Sequence, residues 1–121
     1  WYSDVLAYIR TGKTMTGLVY RHHSMGALPI GHHSLMNLEN LNIKEEISHT
    51  YDSMLHVYPS TNPNYSILNE EEKEILDIVV RKFKNYKAAD IVAYMHGEKA
   101  YKETKNGEII PFSIAKEIRK F

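Results

Sequence analysis

The chain contains no cysteine, which excludes a disulfide framework, a thiolate zinc site and a cysteine nucleophile together. Proline and glycine are sparse, four and six residues in 121, so collagen-like and low-complexity chains are excluded. Neither sign of charge is in excess: fifteen Lys and Arg balance fifteen Asp and Glu. That cancellation removes the global positive field on which nonspecific nucleic-acid binding depends. No apolar run approaches the roughly 20 residues of a membrane span, and no basic-then-apolar leader opens the chain. A cytoplasmic, soluble protein with no membrane partner is expected. What is present is ordinary globular composition, 43% hydrophobic and 25% charged, enough for one core and one domain over residues 1–121. Trp1 stands where Met would begin a natural chain, so a domain that has lost its start is expected.

Periodicity predicts the elements. Tyr2, Val5, Leu6 and Ile9 share one face of a helix over Trp1–Arg10, ended by Thr11-Gly12. Met15–Arg21 reads as a strand, and Pro29 as the opening of a second helix to Asn40. Ile43–Tyr51 and Met54–Tyr58 read as two strands joined at Asp52-Ser53, and Pro59–Tyr65 as a surface loop. Asn69 with Glu72 forms a capping box for a helix to Lys84, with Ile75, Leu76, Val79, Val80 and Phe83 as its buried stripe. Ala88, Ile91, Val92 and Met95 mark another helix ended at His96-Gly97. One or two turns over Glu98–Thr104, a tight turn at Asn106-Gly107 and a last helix opened by Pro111 complete the chain, with Ile114, Ala115 and Ile118 inward.

Chemistry-bearing patterns are scarce. Of the seven histidines, His22, His23, His32 and His33 form two adjacent pairs, but neighbours on a strand face opposite ways and neighbours on a helix diverge by about 100°. Each pair offers one ligand, and no H-E-x-x-H or carboxylate run supplies the rest, so neither metal nor cofactor is expected. Gly12-Lys13-Thr14 resembles the end of a phosphate-binding loop, but Ala7 stands where its first glycine belongs. Glu70, Glu71, Glu72 and Glu74 sit where a helix dipole already favours acid. No serine elbow is present. The chain is not expected to be an enzyme. His96 reads as a helix-terminal histidine packed on Tyr101, the alternative being a buried polar switch.

The order of these pieces resembles the Panacea domain family, which includes SocA-type antitoxins and GepA-like phage-associated proteins. Trp1-Tyr2-Ser3-Asp4 and Thr11-Gly12-Lys13 resemble its first aromatic helix and turn. Thr16-Gly17-Leu18-Val19-Tyr20 resembles its T-G-L-x-Y strand, and Met25-Gly26-Ala27-Leu28-Pro29 its aromatic-Gly-Pro-x-Pro segment. Leu68-Asn69-Glu70-Glu71-Glu72 and Ile75-Leu76-Asp77 resemble its long acidic-started helix. Ala89-Asp90-Ile91 through His96-Gly97-Glu98, with Tyr101, Thr104, Gly107 and Ile110, resembles its closing region. Ala27 replaces the usual proline and Tyr101 the usual tryptophan, the first freeing a φ angle and the second removing an indole donor.

The resemblance implies an α+β, predominantly helical domain of five or six helices with a small antiparallel sheet. It also implies an antitoxin that binds a cognate protein toxin directly, in the SocA-type version as an adaptor that delivers the toxin to a protease. The segment between the predicted strand and helix then offers a partner-binding surface of Tyr20, His22, Met25, Gly26, Leu28 and Pro29, rigid at both ends yet accessible. Gly17, His96, Tyr101 and Gly107 are signature positions with a structural role. Two alternatives stand beside this reading: a phage or mobile-element regulator that contacts nucleic acid through an upstream DNA-binding segment, and a histidine-metal hydrolase.

Overall fold

The opening apolar spacing produces helix α1, Tyr2–Thr11, with Tyr2, Asp4, Val5 and Ala7 buried and Gly12 closing it in the left-handed region. Ile9, expected inward, is half-exposed although it shares a helix face with the buried Tyr2 and Val5. The computed structural model describes residues 1–38, 41–47, 53–59 and 64–121. They divide into two compact units, Trp1–Ile30 with Leu68–Phe121, and Gly31–Ile67. The fold is α+β and predominantly helical, with six α-helices among the described residues.

In the first unit the strand expected from Met15 starts only at Tyr20. The Asp4 carboxylate accepts the Thr16 backbone N–H at 2.8 Å and the Thr16 hydroxyl at 2.6 Å, and Gly17 follows with φ 73°. Groups committed to Asp4 cannot join a strand ladder. Strand β1, Tyr20–His23, instead pairs antiparallel with β2, Gly26–Pro29, in a register running from Tyr20↔Pro29 to His23↔Gly26. Pro29 therefore ends a strand and opens no helix. On its other edge β1 meets the segment before Pro111, where the His22 N–H reaches the Glu108 carbonyl at 2.7 Å and the Ile110 N–H the Tyr20 carbonyl at 2.8 Å. Gly107, with φ 88°, makes the turn that brings this segment in.

The capping box forms as the sequence requires. Asn69 Oδ1 accepts the Glu72 N–H at 2.8 Å while the Glu72 carboxylate accepts the Asn69 N–H at 2.9 Å, which starts α3, Glu70–Phe83. Ile75 is fully buried. Val80 is not part of the inner stripe: it is 61% exposed, one position and about 100° around the helix from Val79. Helix α4, Ala88–His96, begins with the Asp90 carboxylate accepting the Lys87 N–H, and α5, Lys99–Lys102, follows directly. The final helix α6 is only Phe112–Ala115, with Pro111 before it as the cap. It cannot lengthen, because Glu98 accepts the Arg119 backbone N–H that a continuing helix would give to the Ala115 carbonyl. The core gathers Tyr2, Val5, Met95, Ala100, Ile110 and Ala115, with Phe83 and Phe112 packed against it.

The second unit contains α2, His32–Met36, strands β3, Leu41–Ile47, and β4, Ser53–Pro59, and a 3-10 turn at Tyr65–Ile67. The helix expected from Pro29 to Asn40 is reduced to five residues, preceded by Gly31 at φ 81°, and none of them is buried. Too little apolar surface is covered to sustain more turns. The two expected strands pair antiparallel from Leu41↔Pro59 to Ile47↔Ser53. Residues 48–52, including the end of the first expected strand and its turn, and residues 60–63 of the expected loop lie outside the described residues, as does Asn40.

Candidate functional site

The β1–β2 hairpin is the segment singled out for partner binding, and a three-ring stack fastens it to α4 and α5. The Tyr101 ring lies between His22, at 3.8 Å and 21°, and His96, at 4.4 Å and 11°. The Tyr101 hydroxyl donates to the His23 carbonyl at 2.8 Å. His96 Nε2 lies 2.9 Å from the Ser24 carbonyl and must donate to it, which assigns that ring's proton. Thr104 Oγ1 donates to the Ala100 carbonyl at 2.9 Å, so its free lone pair accepts from His22 Nδ1, also at 2.9 Å. The Met25 N–H donates to His23 Nδ1 at 3.2 Å. Both signature positions, His96 and Tyr101, thus hold the backbone of the hairpin turn. The Tyr101 phenol supplies the donor that loss of an indole would have removed.

Tyr20 and Gly26 support this surface and do not present themselves on it. Tyr20 is buried and its hydroxyl donates to the Asp4 carboxylate at 2.6 Å. Gly26 is buried at φ 116°, and a Cβ there would stand 3.0 Å from Met95 Cγ. Burial pushes the Asp4 carboxyl upward, but the hydrogen bonds from Thr16 and Tyr20 outweigh it and hold the group below the usual carboxylate range. Burial, then the hydrogen bond and charge of Asp4, push the Tyr20 phenol far above its ordinary value. His22 is half-buried and committed to Thr104 and Tyr101; Leu28 and Pro29 are half-buried. Met25 is 63% exposed at the tip. The sequence reading missed Asp4 and Glu98, both buried. The available signal was a lone acid on an apolar helix face, for Asp4, and none for Glu98.

Beside the tip lies a groove of about 320 Å³ whose lining includes Tyr2, Met25, Ala27, Phe83, Ile91 and Met95. Its lining carries no ionised side chain among the described residues, and Ile91 is 38% exposed along it. Two methionines and an aromatic make an adaptable apolar surface suited to a protein partner. Among the described residues no three His, Cys, Asp or Glu side chains converge as a metal site; His22 and His23 diverge along β1, and the His32 and His33 rings lie 3.9 Å apart on α2. The profile of the family described as "Antitoxin SocA-like, Panacea domain" matches residues 1–102. The chain belongs to this family. The matched part of this Panacea domain includes α1, the hairpin, the whole of α3 and α4, and α5 with Tyr101; Gly107 and the residues beyond Ala115 lie after it. No curated protein and no solved structure matches the chain. No helix among the described residues is long and apolar enough to cross a membrane.

Proposed function

We propose that this Panacea domain acts in the cytoplasm as an antitoxin, neutralising a cognate protein toxin by stoichiometric binding at the hairpin tip and its adjoining groove. The observation that carries the reading is Met25, exposed on a turn whose backbone is pinned by Tyr101 and His96, beside a groove that no ionised side chain lines. A rigid turn loses little entropy when it docks, and a methionine fits partner surfaces that are not known to it in detail. Binding of this kind needs no chemistry from the antitoxin. An adaptor version adds one step, presentation of the captured toxin to a protease.

The test is co-expression with the product of an adjoining gene that arrests growth when expressed alone. Met25→Glu together with Ile91→Glu places like charges in the groove that docking would bury unpaired, at a cost of about 2–5 kcal/mol. Rescue is expected to be lost while the circular dichroism spectrum and melting temperature stay near those of the parent chain. Undiminished rescue by the folded double variant would remove the proposed surface. His22 is a poor probe, because its ring holds the hairpin. A shortened toxin half-life in the presence of the parent chain separates the adaptor version from simple sequestration.

A further inference from the structure

Glu98 is fully buried, yet the cation that compensates it comes from a half-exposed side chain near the end of the chain, Arg119. One Glu98 oxygen accepts the Tyr2 hydroxyl at 3.1 Å and faces Arg119 Nε at 3.5 Å; the other accepts the Arg119 backbone N–H at 3.1 Å. A terminal guanidinium nitrogen donates to the Tyr94 carbonyl. The guanidinium carbon lies 3.9 Å over the centre of the Tyr94 ring, and glycine at residue 97 leaves it room: a Cβ there would stand 2.8 Å from a guanidinium nitrogen, which would have to shift. A carboxylate, a carbonyl, an aromatic face and a glycine gap together match a planar guanidinium and not a compact ammonium.

The segment that delivers Arg119 is mostly exposed, held by Ile118 against the core and by the Lys99 ammonium on Glu117 at 2.7 Å. Beyond Ala115 it forms neither helix nor strand. Arg119 keeps 46% of its side chain exposed, and Phe121 is 38% exposed while touching Tyr2 and Phe83. A groove of about 240 Å³ stays open between this strap and Leu6, Ile9 and Ile78 on α1 and α3. We propose that the Glu98–Tyr94–Gly97 pocket is an arginine receptor occupied in cis by Arg119, and that it takes an arginine of a partner protein when the strap lifts. Ile118, Arg119 and Phe121 give the pattern of the incoming segment: an apolar residue, arginine, any residue, then an aromatic. The strap acts as an intramolecular competitor whose hold is set by its high local concentration. This site shares Tyr2 and Phe83 with the hairpin groove, but its test is peptide binding and does not depend on toxin rescue.

The experiment titrates an N-acetylated peptide with the sequence of residues 116–121 into the full chain, and a second peptide carrying Arg119→Lys. Against the R119A chain the arginine peptide is expected to bind at least about tenfold more tightly than against the parent chain, and at least about tenfold more tightly than the lysine peptide. Adding G97A to R119A is expected to weaken that binding, because the guanidinium would have to shift, with folding followed by circular dichroism. Should R119A not fold, the R119K chain, which keeps a cation beside Glu98, carries the same comparison. Equal binding of the two peptides, or no gain in affinity over the parent chain, would mean that Arg119 is a structural pin and overturn the receptor.

Discussion

Asp4 shows how much one side chain decides. It stands on the inward face of α1, yet it is ionised and satisfied, because Thr16 and Tyr20 bring three donors to it within 2.8 Å. Its pKa is held below the ordinary carboxylate value, so its contribution to stability is fully present above about pH 4 and is lost as pH falls through the lower folded value. Tyr20 has the opposite sign: its raised phenol pKa gives a contribution that is present below about pH 10 and lost as pH rises beyond it. Asp4→Asn is therefore expected to cost about 2 kcal/mol at neutral pH and to flatten the acid limb of the stability profile. Urea midpoints measured from pH 7 down to pH 2 check this. An acid limb as steep as that of the parent chain would mean that other carboxylates carry it.

At the scale of elements, those with complete local instructions formed where the sequence placed them. Helix α3 has its cap, its acidic first turn and its basic last turn within its own residues, so nothing distant had to intervene. Asn69→Ala is expected to lower stability by about 1 kcal/mol, read as a shift in the denaturation midpoint with an unchanged slope. The elements that moved are those whose ends depend on a remote group. β1 begins at Tyr20 because Asp4 captures Thr16, and α6 stops after one turn because Glu98 captures the Arg119 N–H. The strand character of Gly26–Pro29 was hidden for the same reason. Pro29 suits a helix start as well as a strand end, and pairing with Tyr20 decides between them.

Across the first unit, the enclosed core is small and its margin is aromatic. Phe83 meets Tyr2, Tyr86, Tyr94 and Phe121 at ring distances of 4.9 to 5.4 Å, but it is only partly buried, whereas Ile75 is fully enclosed. Full burial would make Phe83→Ala cost about 3–5 kcal/mol; the observed margin position lowers this to about 2–3 kcal/mol. Ile75→Ala is expected to cost at least as much, about 3 kcal/mol, despite removing fewer atoms. Paired urea denaturation curves decide the order. A clearly larger loss at Phe83 would place it inside the core.

The sequence alone determined the α+β class, the run of helices from Asn69 to His96 and the order of segments that resembles the Panacea family. Periodicity, caps and turn residues act over a few positions, and a single chain displays them directly. Tertiary structure decided which of the named site residues face outward. Tyr20 and Met25 are similar as candidates in the sequence, but Tyr20 turns inward to Asp4 while Met25 stays at the exposed tip. It also decided that Glu98 and Arg119, 21 residues apart, close into one pocket. Such pairings depend on which distant donor meets which acceptor inside the core. Local pattern carries no record of that meeting, because each partner alone looks like an ordinary surface charge.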